Sequence, residues 1–226
     1  MSTRSIHQFA EKVALITDGT NPVGMAVALQ LALNGSYVVV GMPNGETSAI
    51  EELESLGTLA KSVGWETNRA GAKALVDAVR DKFGRLDLLV NCLKPDIDSK
   101  DVGRIVGLHL NSVCYMVEFA KDLMSDWPKP RIVNVVSACD SEAVNPVFAA
   151  TQTGIVGLTK ALAVDLPKHF RANAVSISEK MAPASGFDPE LARPLPVISP
   201  DDAARTVLFL LSGESMSING QMIELV

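Results

Sequence analysis

Cysteine, aromatic residues and basic charge are all scarce in this chain of 226 residues. The three cysteines, Cys92, Cys114 and Cys139, are odd in number, far apart, and not paired with a histidine at metal-ligand spacing. That excludes a disulfide framework and a zinc-type centre, so reduced thiols and no metal site are expected. Tyr, Trp and Phe together make up 5% of the residues, and the only tyrosines are Tyr37 and Tyr115. Lys and Arg number 20 against 26 Asp and Glu, which leaves a net charge of −6. The nearest basic cluster, Lys168 with Arg171, is short and interrupted. Nucleic-acid phosphates would be repelled, so no nucleic-acid partner is expected. No run of about 18 apolar residues is read, which argues against a membrane span. Residues Met1 to Lys12 are polar, with neither an apolar stretch nor a cleavage signal, so a cytoplasmic location is expected.

What is present is core-forming material: 47% hydrophobic against 20% charged residues. No repeat, low-complexity tract or long linker divides the chain, and residues 1–226 are read as one domain. Short apolar runs alternate with longer helical patterns. Val13–Ile16, Tyr37–Val40, Thr58–Val63, Leu86–Val90, Ile132–Val136, Asn173–Ile177 and Gln221–Leu225 predict strands. Pro22–Asn34, Glu46–Leu56, Ala70–Lys82, Asp98–Met124 (bent near its middle), Ala149–Leu166 and Pro200–Leu211 predict helices. Gly35 stands where a helix stop is wanted. Strands that are continuous apolar runs, separated by helices, predict an α/β fold: a doubly wound parallel sheet of about seven strands, helices on both faces, and ligands at the carboxyl ends of the strands. The stretch Glu179–Pro200, rich in Pro and Gly, reads as a loop or lid over those ends.

Several segments resemble one family in order along the chain. They are Lys12-Val13-Ala14-Leu15-Ile16-Thr17 with Gly24 opening a helix, Phe83-Gly84-Arg85-Leu86-Asp87-Leu88-Leu89-Val90-Asn91, Arg131-Ile132-Val133-Asn134-Val135-Val136-Ser137, Gly157-Leu158-Thr159-Lys160-Ala161-Leu162-Ala163, and Arg171-Ala172-Asn173-Ala174-Val175. Ala203–Leu211 and Gly220-Gln221 resemble that family's last helix and strand. The family is the short-chain dehydrogenases/reductases, which have a single-domain Rossmann-like fold and move a hydride between a nicotinamide and a carbonyl or alcohol.

The resemblance implies four catalytic groups. A Tyr transfers the hydroxyl proton, and a Lys four residues later lowers its pKa, because a phenol titrating near 10 is a poor base at neutral pH without a nearby cation. A Ser holds the substrate oxygen and a helix Asn supports a proton relay. Ser137 and Asn111 match the last two. The Tyr and Lys positions fall on Phe148 and Gln152, and Tyr37 and Tyr115 are followed four residues on by Gly41 and Phe119. Each survivor has a plain structural use as well, Ser137 as a turn former and Asn111 as a backbone partner near the helix bend. Tyr115 shares the face of Asn111 but should lie too deep to replace the missing acid.

The family's first strand-to-helix turn is a glycine-rich phosphate cradle at a helix N-terminus. Here it reads Thr17-Asp18-Gly19-Thr20-Asn21-Pro22-Val23-Gly24, with Asp18 and Pro22 at two glycine positions. The remaining candidates for cofactor contact are Thr17, Gly19, Asn21, Gly24, Glu66 and Asn91. The second strand ends in Gly41-Met42-Pro43, without the acid that would hold an adenosine ribose. Trp65 could fill the adenine site or cap the core. NAD(P) is possible by fold, with a degenerate cradle.

The leading expectation is therefore a divergent pseudoenzyme of that family: a scaffold, partner subunit or ligand sensor. The alternative is an NAD(P)-dependent oxidoreductase with altered acid–base groups. A hydrolase built on Ser137, Asp140, Glu142 and His109 is weaker, since no nucleophile elbow surrounds Ser137. By resemblance, a homo-oligomer through helices 101–124 and 149–166 is expected, or a hetero-oligomer with an active relative.

Overall fold

The computed structural model describes residues 8–43, 61–92, 99–138, 145–178 and 198–226. Within them, seven strands form one parallel sheet in the order β3-β2-β1-β4-β5-β6-β7. The strands are β1 (Val13–Ile16), β2 (Tyr37–Pro43), β3 (Lys61–Trp65), β4 (Leu88–Asn91), β5 (Arg131–Ser137), β6 (Arg171–Ile177) and β7 (Met222–Leu225). The helices are α1 (Pro22–Leu33), α2 (Arg69–Phe83), α3 (Val102–Val106), α4 (Ser112–Ser125), α5 (Pro146–Asp165) and α6 (Pro200–Leu211). This is the doubly wound arrangement read from the sequence. Its order reverses between β1 and β4, the point at whose carboxyl ends this architecture is expected to have its ligand crevice.

The central strands are buried on both faces, which is why they read as unbroken apolar runs. Alternate residues face opposite layers. Ala14 and Ile16 pack with Val27 and Leu31 of α1 and with Val207 and Leu210 of α6. Val13 and Leu15 pack with Leu75 and Val76 of α2, Met116 of α4, and Ile132. Helix α1 is capped by Asn21, whose side chain accepts from the Val23 and Gly24 amides, with Pro22 in the first turn. The predicted stop is real: Gly35 has φ +83°, in the left-handed region.

Several boundaries move. The third strand is Lys61–Trp65 rather than Thr58–Val63, of which residues 58–60 lie outside the described residues. Helix Glu46–Leu56 and most of the Glu179–Pro200 loop lie outside them too. The bent helix is resolved as α3, a π-helical turn over Gly107–Asn111, and α4. The bend therefore has a named cause, one wide turn inserted in the ladder. Helix α5 starts at Pro146, earlier than expected, because Asn145 caps it and proline suits the first turn. It also corrects the reading that no apolar stretch is of membrane-spanning length, since its 20 residues are long and apolar enough by composition. Its inner residues Phe148, Gln152, Ile155 and Thr159 are nonetheless buried within the protein.

The amino-terminal ends of three strands are tied together by Asp87, which is fully buried. Its carboxylate accepts from the Val13 amide at 2.7 Å, its own amide donates to the Val13 carbonyl, and its carbonyl accepts from the Arg131 amide. Arg85 donates to both carboxylate oxygens at 2.9 Å and stacks over Trp127 at 3.5 Å.

Candidate functional site

At the opposite, carboxyl end, the turn after β1 is tightly built. Thr17 is 2% exposed. Its hydroxyl donates to the Cys92 carbonyl at 2.8 Å and accepts from the Cys92 amide at 3.0 Å, which locks the ends of β1 and β4. The Thr17 carbonyl accepts from Trp65 Nε1 at 2.8 Å. Trp65 is buried in the α2 layer, so it caps the core beside the crevice. Met42 is likewise buried, in the α1 layer.

Gly24 allows α1 to dock. A Cβ there would stand 2.3 Å from the Asp18 carbonyl oxygen and 2.6 Å from Cys92 Sγ, and backbone cannot yield as a flexible side chain can. Cys92 donates its thiol to the Asp18 carbonyl at 3.5 Å. Burial pushes that thiol up to about 12, with the nearby Asp18 charge adding to the effect. A raised pKa leaves the reactive thiolate almost absent at neutral pH. Cys92 is therefore expected to stay unlabelled by iodoacetamide in the folded chain and to react only on unfolding, as read by mass spectrometry of the digested protein. Labelling of native Cys92 as fast as that of a free thiol would contradict its burial.

From Asn91 a buried polar chain runs under the crevice. Asn91 Nδ2 donates to Asn134 Oδ1 at 2.8 Å, Asn134 Nδ2 donates to Thr159 Oγ1 at 2.8 Å, and Thr159 donates to the Ile155 carbonyl at 2.7 Å. It ties β4, β5 and α5 together. The other end is open, because Asn91 Oδ1 is buried without a hydrogen-bond partner. Sequence reasoning missed Asn134 and Thr159. The available signal was an asparagine inside the apolar run of β5, which a buried strand tolerates only when partnered.

Ser137 ends β5 and is partly buried. Its backbone amide donates to Gln152 Oε1 at 3.0 Å, and Gln152 is 6% exposed. The structure thus brings Ser137 and Gln152 together. Phe148, one turn earlier on α5, is 3% exposed. Its ring meets that of His109 edge-on, with centroids 5.0 Å apart. His109 and Asn111 both belong to the π-helical turn, which sets His109 against the start of α5. Glu66, by contrast, is exposed, and its carboxylate accepts from Asn68 at 2.7 Å, at the cap of α2. Asp140 and Glu142 lie outside the described residues. Among the described residues, no group of three His, Cys, Asp or Glu side chains could hold a metal ion.

A cleft of about 360 Å³ adjoins Ser137. Val136, Val156 and Met222 supply its apolar wall, while Ser137, Gln152, Thr153, Ser176 and Glu224 supply polar groups. The register explains the grouping: Val136, Ser176 and Glu224 are aligned partners across β5, β6 and β7. An apolar wall with a few convergent polar groups suits a small organic molecule.

Comparison with known proteins agrees with this architecture. The chain is 30% identical to the 3-oxoacyl-[acyl-carrier-protein] reductase FabG of Thermotoga maritima, over 94% of this chain and 95% of that protein. It is 31% identical to the short-chain dehydrogenase/reductase FrzI of a Cladobotryum species, over 69% of this chain and 65% of that protein. A dehydrogenase/reductase structure from Sinorhizobium meliloti superposes with a TM-score of 0.84 at 21% identity, covering 99% of this chain and 98% of that one. NAD+-bound xylitol dehydrogenase superposes with a TM-score of 0.84 at 23% identity, over 96% and 98%. The relatives carry the names of reductases and dehydrogenases, and none points to a scaffold or sensor. The expectation of a pseudoenzyme is corrected on that ground; the substitutions at Phe148 and Gln152 gave it more weight than a near-full-length likeness to reductases allows. The short-chain dehydrogenase profile matches residues 12–179, which span β1 to the end of β6, and the chain belongs to that family.

Proposed function

We propose that this protein is an NAD(P)-dependent oxidoreductase that interconverts a carbonyl and an alcohol, with acid–base groups altered from the usual Tyr and Lys. The observation that carries this reading is the near-full-length likeness to a reductase. Ser137, at the carboxyl end of β5 and beside the cleft, is where such chemistry would sit.

The residues fit a dinucleotide in part. The reversal of strand order between β1 and β4 and the unpartnered acceptor Asn91 Oδ1 favour it. Thr17, Gly19, Asn21, Gly24 and Asn91 would hold it, although amides of the turn already have internal acceptors. A bound nicotinamide supplies or takes the hydride. Ser137 Oγ orients and polarises the substrate oxygen, and Gln152 keeps the Ser137 backbone in place through its 3.0 Å hydrogen bond. Phe148 has no proton to give, so water in the open cleft supplies it.

Carbonyl reduction is tested by following NADH and NADPH absorbance with 3-oxoacyl thioesters, ketosteroids and simple ketones. Turnover with one of these is expected. Ser137→Ala should lower kcat by about 10²-fold without lowering the melting temperature, the usual effect of losing one donor to a developing oxyanion. An unchanged kcat would remove Ser137 from the site, and no turnover on any carbonyl or its alcohol would sink the reading.

The outward side of α5 also supports self-association. Ala150, Gly157 and Ala161 are exposed there, and Val164 is 87% exposed. Burying that small, apolar stripe against a second copy is the use we assign to it.

A further inference from the structure

The turn between β1 and α1 contains its own acceptors. Asp18, only 2% exposed, accepts from the Thr20 amide and the Thr20 hydroxyl, both at 2.7 Å. Asn21 accepts through its side chain from the Val23 amide at 2.9 Å and the Gly24 amide at 3.2 Å. The Met25 amide donates to the Asn21 carbonyl, and the Gly19 amide donates to the Gly41 carbonyl, both at 2.9 Å. Pro22 has no amide hydrogen at all. Over Gly19 the space is also taken: a Cβ there would lie 2.5 Å from Val40 Cγ1 and 2.6 Å from Met42 Sδ.

A helix N-terminus binds a diphosphate because its first amides lack partners and its dipole favours negative charge. Here Asn21 holds the helical amides of Val23 and Gly24, Asp18 holds the Thr20 amide just before them, and the Asp18 carboxylate adds a negative charge where another is to come. We propose that Asp18 is an internal competitor for the dinucleotide diphosphate and thereby sets the affinity for NAD(P). The inference rests on the oxidoreductase reading above. A diphosphate enters the turn only when Asp18 gives up Thr20, and the affinity of the wild-type chain carries both the loss of those two hydrogen bonds and the charge repulsion.

A purely structural cap makes a different prediction. Removing an Asx-type cap lowers stability and leaves ligand affinity alone or weakens it. Removing a competitor tightens binding even when stability falls.

Calorimetric titration with NADH and with NADPH separates the two. Wild type, Asp18→Gly and Asp18→Asn are compared, each first shown to melt cooperatively. Asp18→Gly restores a small residue, frees the Thr20 amide and removes the charge. Its dissociation constant should fall by about 10-fold or more, the scale of one charge interaction plus one hydrogen bond. Asp18→Asn keeps the acceptor and loses only the charge, so it should fall between the other two. If Asp18→Gly proves too unstable, Asp18→Asn alone must still bind more tightly than wild type. A folded Asp18 variant with unchanged or weaker affinity, while the wild type binds or turns over cofactor, overturns the competitor and leaves the oxidoreductase reading standing. Silence from wild type and both variants overturns the two together.

Discussion

Phe148→Tyr combined with Gln152→Lys is expected to raise the rate of NAD(P)H-dependent carbonyl reduction by about 10²-fold, the lower end of what a positioned general acid contributes. The two positions lie one helical turn apart on the inner side of α5, so their side chains are neighbours. Gln152 already reaches the backbone of Ser137, which shows that the face points at the end of β5. A phenol at position 148 is a weak proton donor by itself, because its pKa lies near 10. The ammonium at position 152 lowers it by favouring the phenolate. Phe148→Tyr alone should therefore change little, and the gain should appear only in the pair. The pair also makes the rate of reduction fall as pH rises through the lowered phenol pKa, since the donor is then deprotonated. There is a cost. Lysine cannot accept from the Ser137 amide, and leaving a buried amide unpaired costs about 1–3 kcal/mol. A lower melting temperature with a higher rate is thus the expected signature. A folded double variant no faster than the wild type would show that positions 148 and 152 do not face the reacting carbonyl.

Asp87→Ala is expected to destabilise the protein by about 3–5 kcal/mol, the range for removing one partner of a buried charged pair. The carboxylate is inaccessible to solvent, yet it satisfies the Val13 amide and both prongs of Arg85. Alanine would strand that amide at the start of β1 and leave Arg85 without its counter-charge. Arg85 is less buried, with a third of its side chain exposed, and it keeps the Trp127 ring beneath it. Arg85→Ala should therefore cost clearly less than Asp87→Ala. Urea denaturation of both variants checks the order. Equal and small losses, under about 1 kcal/mol each, would mean that this end of the sheet is held by its apolar packing alone.

These two experiments probe opposite ends of the same strands, and the two ends were unequally legible. The structural end is close to what the residues dictate. Val13–Ile16 is apolar at every position and Leu88–Asn91 at every position but the last, which only a strand buried on both faces accommodates. Gly35 and the Asn21-Pro22 pair punctuate α1 by local chemistry that needs no tertiary information. Boundaries failed where local signals competed. The early start of α5 was missed because Asn145-Pro146 was not read as a cap, and Lys61–Trp65 was placed too early because that strand lies at the sheet edge and has little apolar patterning.

At the functional end, the sequence determined residue types and their order: serine at the end of β5, phenylalanine and glutamine where α5 begins, aspartate and proline in the first turn. Taken alone, those types suggested lost chemistry. Only the tertiary structure decided which groups meet. It set Gln152 against the Ser137 amide, His109 against Phe148 through a π-helical turn, and Asn91 against Asn134, which in turn reaches Thr159. The reason is physical. Periodicity and capping act over a few residues and are written in local sequence, whereas these contacts join residues on separate strands and helices. Sheet register, helix docking and one inserted turn set their distances, and shifting any of these by one residue would turn the same side chains away from each other.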